Sequence, residues 1–261
     1  LALYFFATGK SLKSAISIGL AAMSKFIYVI FTPFLISALA PGKRLKYVII
    51  SFSVIAVLYL PYVGAGKGLF ATLFHFGTEY HFNDSVHFLI FCLCLGSPLA
   101  SKIITAAIFG SALLYLYKKY LNLLSTDDNG NLPQSSLPKG GFREINDSVL
   151  SFAFLSIGAF LILTPTLHPW YLTWIVPFLC FNKNRAWLVL TGTVVCYYFM
   201  NHELFSKMIL YKNEWVWKEA HWLKLPEYLP FYFLLIYEYL SKRLSINFQS
   251  LLIRNKRNVQ T

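Results

Sequence analysis

The stretch Thr164-Pro-Thr-Leu-His168-Pro-Trp-Tyr-Leu-Thr-Trp174-Ile-Val-Pro177 decides how the rest of the chain is read, because it sets a histidine and three aromatic side chains at the mouth of an apolar helix. Proline loses nothing by lacking an N–H at the first helical position, so Pro169 opens the helix and His168 falls just outside it. The first turn then offers backbone N–H groups and the positive end of the helix dipole beside His168, a setting that favours an anion. Trp170 and Trp174, one helical turn apart, share a face, and such amphipathic rings suit a membrane boundary.

The surrounding composition supports that setting. Of 261 residues, 57% are hydrophobic and 13% charged, against about 25% charged in an ordinary soluble domain. Several apolar runs are long enough to cross a bilayer. These runs are continuous rather than alternating, so they predict an all-α, polytopic transmembrane helical bundle with short or re-entrant helices and external loops, not a membrane barrel. Residues 1–241 form the membrane core and residues 242–261 a basic cytoplasmic tail. The chain opens on Leu1 within an apolar stretch, without a charged leader, which reads as the C-terminal part of a longer protein.

Apolar runs at Leu1 to Thr8, Ser14 to Ser24, Phe26 to Ala40, Tyr47 to Val63, Ser85 to Leu95, Pro98 to Tyr117, Val149 to Leu163, Pro169 to Phe181, Ala186 to Met200 and Leu225 to Leu240 supply the membrane elements. Alternating the polar joints between two sides gathers 16 of the 23 basic residues on one of them, from Lys10 and Lys13 through Lys43, Arg44 and Lys46 to the tail. By the positive-inside rule that side is cytoplasmic. All six histidines then fall outside. With Lys13 and Lys43 both cytoplasmic, Ser14 to Ala40 is either a hairpin of short helices turning near Lys25 or one tilted helix with Lys25 snorkelling. A lysine at that depth is a functional candidate.

The net charge of +12 is dispersed among spans rather than gathered on a soluble face, which argues against nucleic acid. Cys92, Cys94, Cys180 and Cys196 lie in apolar segments without further ligands at metal spacing, so they read as packing residues. No nucleotide-binding glycine loop or zinc signature is present. The quartets Asn83-Asp-Ser-Val86 and Asn146-Asp-Ser-Val149 precede apolar runs and read as helix N-caps, each also fitting the N-glycosylation pattern. The segment from Trp215 to Trp222 has an amphipathic pattern suited to a membrane surface.

Three landmarks resemble the polyprenyl-phosphate-sugar-dependent glycosyltransferases of the GT-C superfamily, most closely glycosyltransferase family 87, which includes bacterial mannosyltransferases. They are Leu20-Ala-Ala-Met-Ser-Lys25 with the run carrying Pro33, Leu60-Pro-Tyr followed by Phe76-Gly-Thr-Glu-Tyr-His-Phe-Asn83-Asp-Ser, and His168-Pro-Trp-Tyr-Leu-Thr-Trp-Ile-Val-Pro177. The resemblance implies extracytoplasmic transfer of a sugar, mannose or a related hexose, from a polyprenyl-phosphate donor to a hydroxyl of a lipid or glycan acceptor, with inversion. It also implies an acidic general base in the first external loop, which is expected upstream of residue 1.

In that reaction His168 is the group that stabilises the departing phosphate, the alternative being a capping or core histidine. Lys25 is the second phosphate contact, or else pairs with a protein carboxylate. Glu79, His81, Asn83 and Asp84 lie in one external loop and suit the acceptor or a divalent cation, although no resident cofactor is required. Trp170, Tyr171 and Trp174 offer sugar-stacking faces or belt anchors. His75 and His87 carry little information in the sequence. A secondary transporter with broken helices and a non-catalytic membrane assembly subunit are the competing readings.

Overall fold

Apolar runs interrupted by proline and glycine favour helices that start well and stop early, and the computed structural model follows that rule. It describes residues 1–68, 70–71, 74, 77, 82–123, 141–200, 207–211, 214–218 and 220–258. The chain divides into two units, Leu1–Thr166 and Leu167–Thr261.

The first unit carries α1 (Ala2–Ala7), α2 (Ser11–Ser24), α3 (Thr32–Ser37), α4 (Pro41–Tyr59), α5 (Val86–Leu93), α6 (Pro98–Leu123) and α7 (Gly141–Leu163). Helices α2 and α4 pack closely because small residues line the contact. A Cβ added at Gly19 would lie 2.9 Å from the Ser51 carbonyl oxygen and 2.9 Å from Val54 Cβ. Close approach then lets hydroxyls bridge the helices, as small polar residues do between apolar helices. Ser14 Oγ and the Tyr47 hydroxyl share a hydrogen bond of 3.0 Å, and Ser51 Oγ donates to the Ala15 carbonyl at 3.1 Å. On the other side of the unit Phe152 of α7 stacks on Phe34 of α3 at 4.0 Å and meets the edges of Phe31 and Tyr120.

Among the described residues, two segments are long and apolar enough to cross a membrane: Pro41–Ala65, with a mean hydropathy of 2.1, and Pro98–Asn122, with 1.7. Their outer faces expose Ile49, Phe52, Val57, Leu99, Ile103 and Leu114, the pattern expected of surface that meets lipid rather than water. Pro41 sits in the first turn of α4. The polar stretch Pro41 to Lys46 is therefore the helix's opening, in keeping with the preference for proline there.

Lys25 interrupts the Ser14 to Ala40 run as expected of the hairpin reading. It has extended backbone (φ −152°, ψ 120°) between α2 and a 3₁₀ helix, Phe26–Phe31. Two expectations fail locally. The Asn146 to Val149 quartet lies inside α7 rather than capping it, because helix formation continues upstream to Gly141. Cys92 and Cys180 are exposed rather than packed.

The second unit contains a 3₁₀ helix, Pro169–Trp174, then α8 (Val176–Leu179), α9 (Arg185–Thr193), a second 3₁₀ helix (Val194–Phe199), strands β1 (Lys207–Tyr211) and β2 (Glu214–Lys218), and α10 (Lys224–Asn258). Its core is an edge-on pair of Trp187 and Phe231, centroids 4.9 Å apart, with Leu190, Ile175 and Met200 buried. Asn184 caps α9 by accepting from the Trp187 N–H at 3.1 Å.

The antiparallel pairing runs from Lys207 opposite Lys218 to Tyr211 opposite Glu214. The chain is thus mostly helical, and the amphipathic stretch beginning at Trp215 is a strand over its first half. β-Branched and aromatic residues at successive positions, Trp215, Val216 and Trp217, favour strand over helix. The stretch Asp127 to Gly141, rich in Asp, Asn, Gly, Pro and Ser and expected from its sequence to be a cytoplasmic connector, lies outside the described residues except for Gly141.

Candidate functional site

The second unit builds an aromatic cage around His168. Proline at 169 fixes its own φ and removes an N–H, so His168 takes an extended backbone (φ −91°, ψ 149°) immediately before the helix, as the sequence predicted. Beyond His168 the chain forms a six-residue 3₁₀ helix and then the four residues of α8, not the continuous helix expected from Pro169 to Phe181. The electrostatic expectation shrinks accordingly. Pro169 has no N–H, and the Tyr171 N–H is already used by the His168 carbonyl at 2.9 Å, which leaves Trp170 as the N–H of the opening turn. A short 3₁₀ turn also aligns few peptide dipoles.

The same geometry corrects the ring pairing. In a 3₁₀ helix residues three apart eclipse, so Tyr171 stacks on Trp174 with centroids 4.4 Å apart and planes 19° apart. The expected Trp170 and Trp174 face does not form. Trp170 instead lies parallel to the His168 imidazole at 4.4 Å and 10°. Tyr171 meets the imidazole edge-on at 5.3 Å.

Tyr197, at the second 3₁₀ helix, completes the cage. Its hydroxyl lies 2.6 Å from His168 Nδ1. When the phenol donates to Nδ1, the neutral ring carries its proton on Nε2. His168 is half-buried and Trp170 half-exposed. An oriented imidazole N–H among flat aromatic faces is suited to a ligand with an anionic group beside a ring of C–H bonds, as in a sugar phosphate.

The first unit holds a separate polar seam. The Phe82 N–H donates to the Pro165 carbonyl at 2.9 Å, and Phe82 pairs in parallel with Thr166. Ser85 is the N-cap residue of α5, yet its hydroxyl donates to the Ile162 carbonyl at 3.2 Å instead of capping the helix. Asn83 turns the chain with a φ of 50°, which asparagine tolerates better than most residues. Asp84 Oδ2 and His87 Nδ1 are 2.7 Å apart, with both side chains 1% exposed. His87 Nε2 is buried with no hydrogen-bond partner among the described residues.

Asn83 and Asp84 are therefore buried residues of this seam. Lys25 is exposed at its helix break rather than part-buried. Glu79, His81 and His75 lie outside the described residues. Two residues were missed in the sequence. His87 was discounted, although an acid and a histidine three apart at a helix start mark a shared face. Tyr197 had no local signal, because its partner lies far away in the chain.

Residues 142–204 match the family model described as the MptB C-terminal domain. That stretch is about a quarter of the chain and contains His168, Trp170, Tyr171, Trp174 and Tyr197. Comparisons with curated proteins and with solved structures find no match. The segment that builds the cage is thus MptB-like, in keeping with the GT-C resemblance carried by the His168 landmark.

Proposed function

We propose that this protein is an integral, multi-pass membrane glycosyltransferase whose His168 cage receives the phosphosugar end of a polyprenyl-phosphate donor, with mannose or a related hexose as the sugar. The observation that carries the reading is the coincidence of the cage with the MptB-like stretch, residues 142–204. The two long apolar segments support the membrane setting, and the charge map favours the extracytoplasmic side for the cage.

In the reaction an acceptor hydroxyl oxygen, from a lipid or glycan, attacks the anomeric carbon. The bond from that carbon to the phosphate oxygen breaks, its electron pair leaves with the polyprenyl phosphate, and the hydroxyl proton passes to a base. Attack opposite the leaving group inverts the anomeric centre. His168 Nε2–H meets the phosphate oxygen on which charge develops, and Tyr197 holds the ring in that tautomer. Trp170 and the Tyr171–Trp174 stack offer faces to the sugar. Lys25, at the extended break between short helices, is the further cation assigned to the donor phosphate. Glu79, His81, Asn83 and Asp84 belong to the acceptor side of this scheme, Asn83 and Asp84 by shaping the loop from within.

Membranes containing the complete protein, fed radiolabelled polyprenyl-phosphate-mannose, should pass label to an acceptor. Removing one donor of developing charge slows such reactions by about 10²–10³-fold, and His168→Ala should do so while protein abundance holds. Normal turnover of His168→Ala removes that residue from the mechanism. Absence of transfer from any such donor favours a carrier, the second reading, for which the break at Lys25 is the supporting observation.

A further inference from the structure

Helix α10 runs from Lys224 to Asn258 as one element, so the basic segment expected as a tail continues a helix whose first half packs in the core of the second unit. There Phe231 is fully buried against Trp187, while Leu225, Leu229, Phe233, Ile236 and Leu240 are exposed. These side chains recur at steps of four, four, three and four, and so form one apolar stripe along the helix. Leu244, Phe248 and Leu251 carry the same line onward at steps of four, four and three.

From Ser241 onward the sequence carries Lys242, Arg243, Arg254, Lys256 and Arg257 and no acidic residue. At about 100° per residue, all of these cations fall roughly 90° or more around the helix from the centre of the line formed by Leu244, Phe248, Leu251 and Leu252, on the side that also holds Ile246 and Ile253. One side of the helix is thus apolar and the other cationic. The stripe from Leu225 to Leu251 is about 39 Å long, more than the roughly 30 Å of hydrocarbon in a bilayer. Lipid that covers its first half therefore leaves the part flanked by cations at a headgroup layer. A soluble acidic partner would leave the stripe uncovered, a neutral bilayer would leave the charges unmatched, and a second copy would set cations against cations. An anionic leaflet suits both sides at once.

We propose that residues 241–258 of α10 form an amphipathic arm that docks on an anionic lipid surface, its stripe toward the acyl chains and its lysines and arginines among the lipid phosphates. The occupant is the leaflet itself rather than a substrate. The arm is independent of the His168 cage, and its role stands whether or not sugar transfer is observed.

The test uses the full chain in nanodiscs of phosphatidylglycerol and, separately, of zwitterionic phosphatidylcholine. Amide hydrogen exchange of the peptides holding Phe248 and Leu251 is read by mass spectrometry. Each cation near an anionic surface strengthens attachment about fivefold, so exchange of this segment should be about tenfold or more slower in phosphatidylglycerol. Raising the salt from about 0.05 M to about 0.5 M should remove most of that difference. Replacing Lys242, Arg243, Arg254, Lys256 and Arg257 together by glutamine should make exchange equal in the two lipids, while the peptide holding Phe231 keeps its protection and reports a folded unit. Phe248→Ser should weaken the protection in phosphatidylglycerol with every charge intact. Equal exchange of the parent in the two lipids, a phosphatidylglycerol effect indifferent to salt, to the glutamine substitutions or to Phe248→Ser, or protection confined to discs that hold two copies would each overturn the proposal.

Discussion

The Tyr197 hydroxyl sits 2.6 Å from Nδ1 of His168, a partner 29 positions away in the chain. When the phenol donates across that contact, the imidazole carries its proton on Nε2. Tyr197→Phe keeps the ring and removes the hydroxyl. A net hydrogen bond contributes about 0.5–1.5 kcal/mol, so transfer should slow roughly two- to tenfold at unchanged protein abundance. A Tyr197→Phe enzyme as fast as the parent, alongside an inactive His168→Ala, would show that the phenol does not orient the imidazole.

The Asp84 and His87 pair invites a double-mutant comparison. Asp84→Ala strands a buried imidazole, with a loss of about 1–3 kcal/mol. Replacing both residues by leucine removes the two polar groups together and should destabilise less than the single change. Thermal unfolding in detergent measures both. A double variant less stable than Asp84→Ala would show that the stranded imidazole is not the main cost of losing the carboxylate.

Gly19 is the contact point of α2 and α4. With 2.9 Å to a backbone oxygen, even Gly19→Ala requires the helices to move, and Gly19→Leu should destabilise by about 1–3 kcal/mol. A melting temperature unaffected by Gly19→Leu would mean that the helices do not pack as described.

Phe152 is 2% exposed and touches three aromatic rings. Phe152→Ala should lower stability by about 3–5 kcal/mol, the range for emptying an aromatic core site. Chemical denaturation of the purified protein provides the measurement, and a change below about 1 kcal/mol would contradict a tightly filled site.

Val57, 61% exposed on the segment Pro41–Ala65, should face lipid. Val57→Arg carries an insertion penalty of about 2.5–3.5 kcal/mol near a span's centre, so the variant should show reduced membrane integration in an insertion assay. Full integration of Val57→Arg would indicate that this face meets water or protein.

Much of this architecture was legible locally. Pro169 announced the helix start that leaves His168 outside, and Lys25 announced the break between α2 and the 3₁₀ turn, because both signals act on adjacent backbone. The apolar runs located the helices, although their composition is the same for α and 3₁₀ turns. The short elements after His168 therefore read as one longer helix. Tertiary choices left weaker traces. Ser85 donates across the unit to Ile162 rather than to its own helix, and Tyr197 finds His168 only once the chain has folded back. The hairpin at β1 and β2 was hidden by an amphipathic pattern that suits strand and helix alike.

The three-residue period at Pro169–Trp174 carries a further consequence. Tyr171 and Trp174 stand at a common azimuth only while the count between them stays a multiple of three. An alanine inserted between Leu172 and Thr173 would keep every existing side chain yet swing Trp174 a third of a revolution away from Tyr171. This segment is therefore tolerant of altered lettering at its spacer positions and intolerant of altered length.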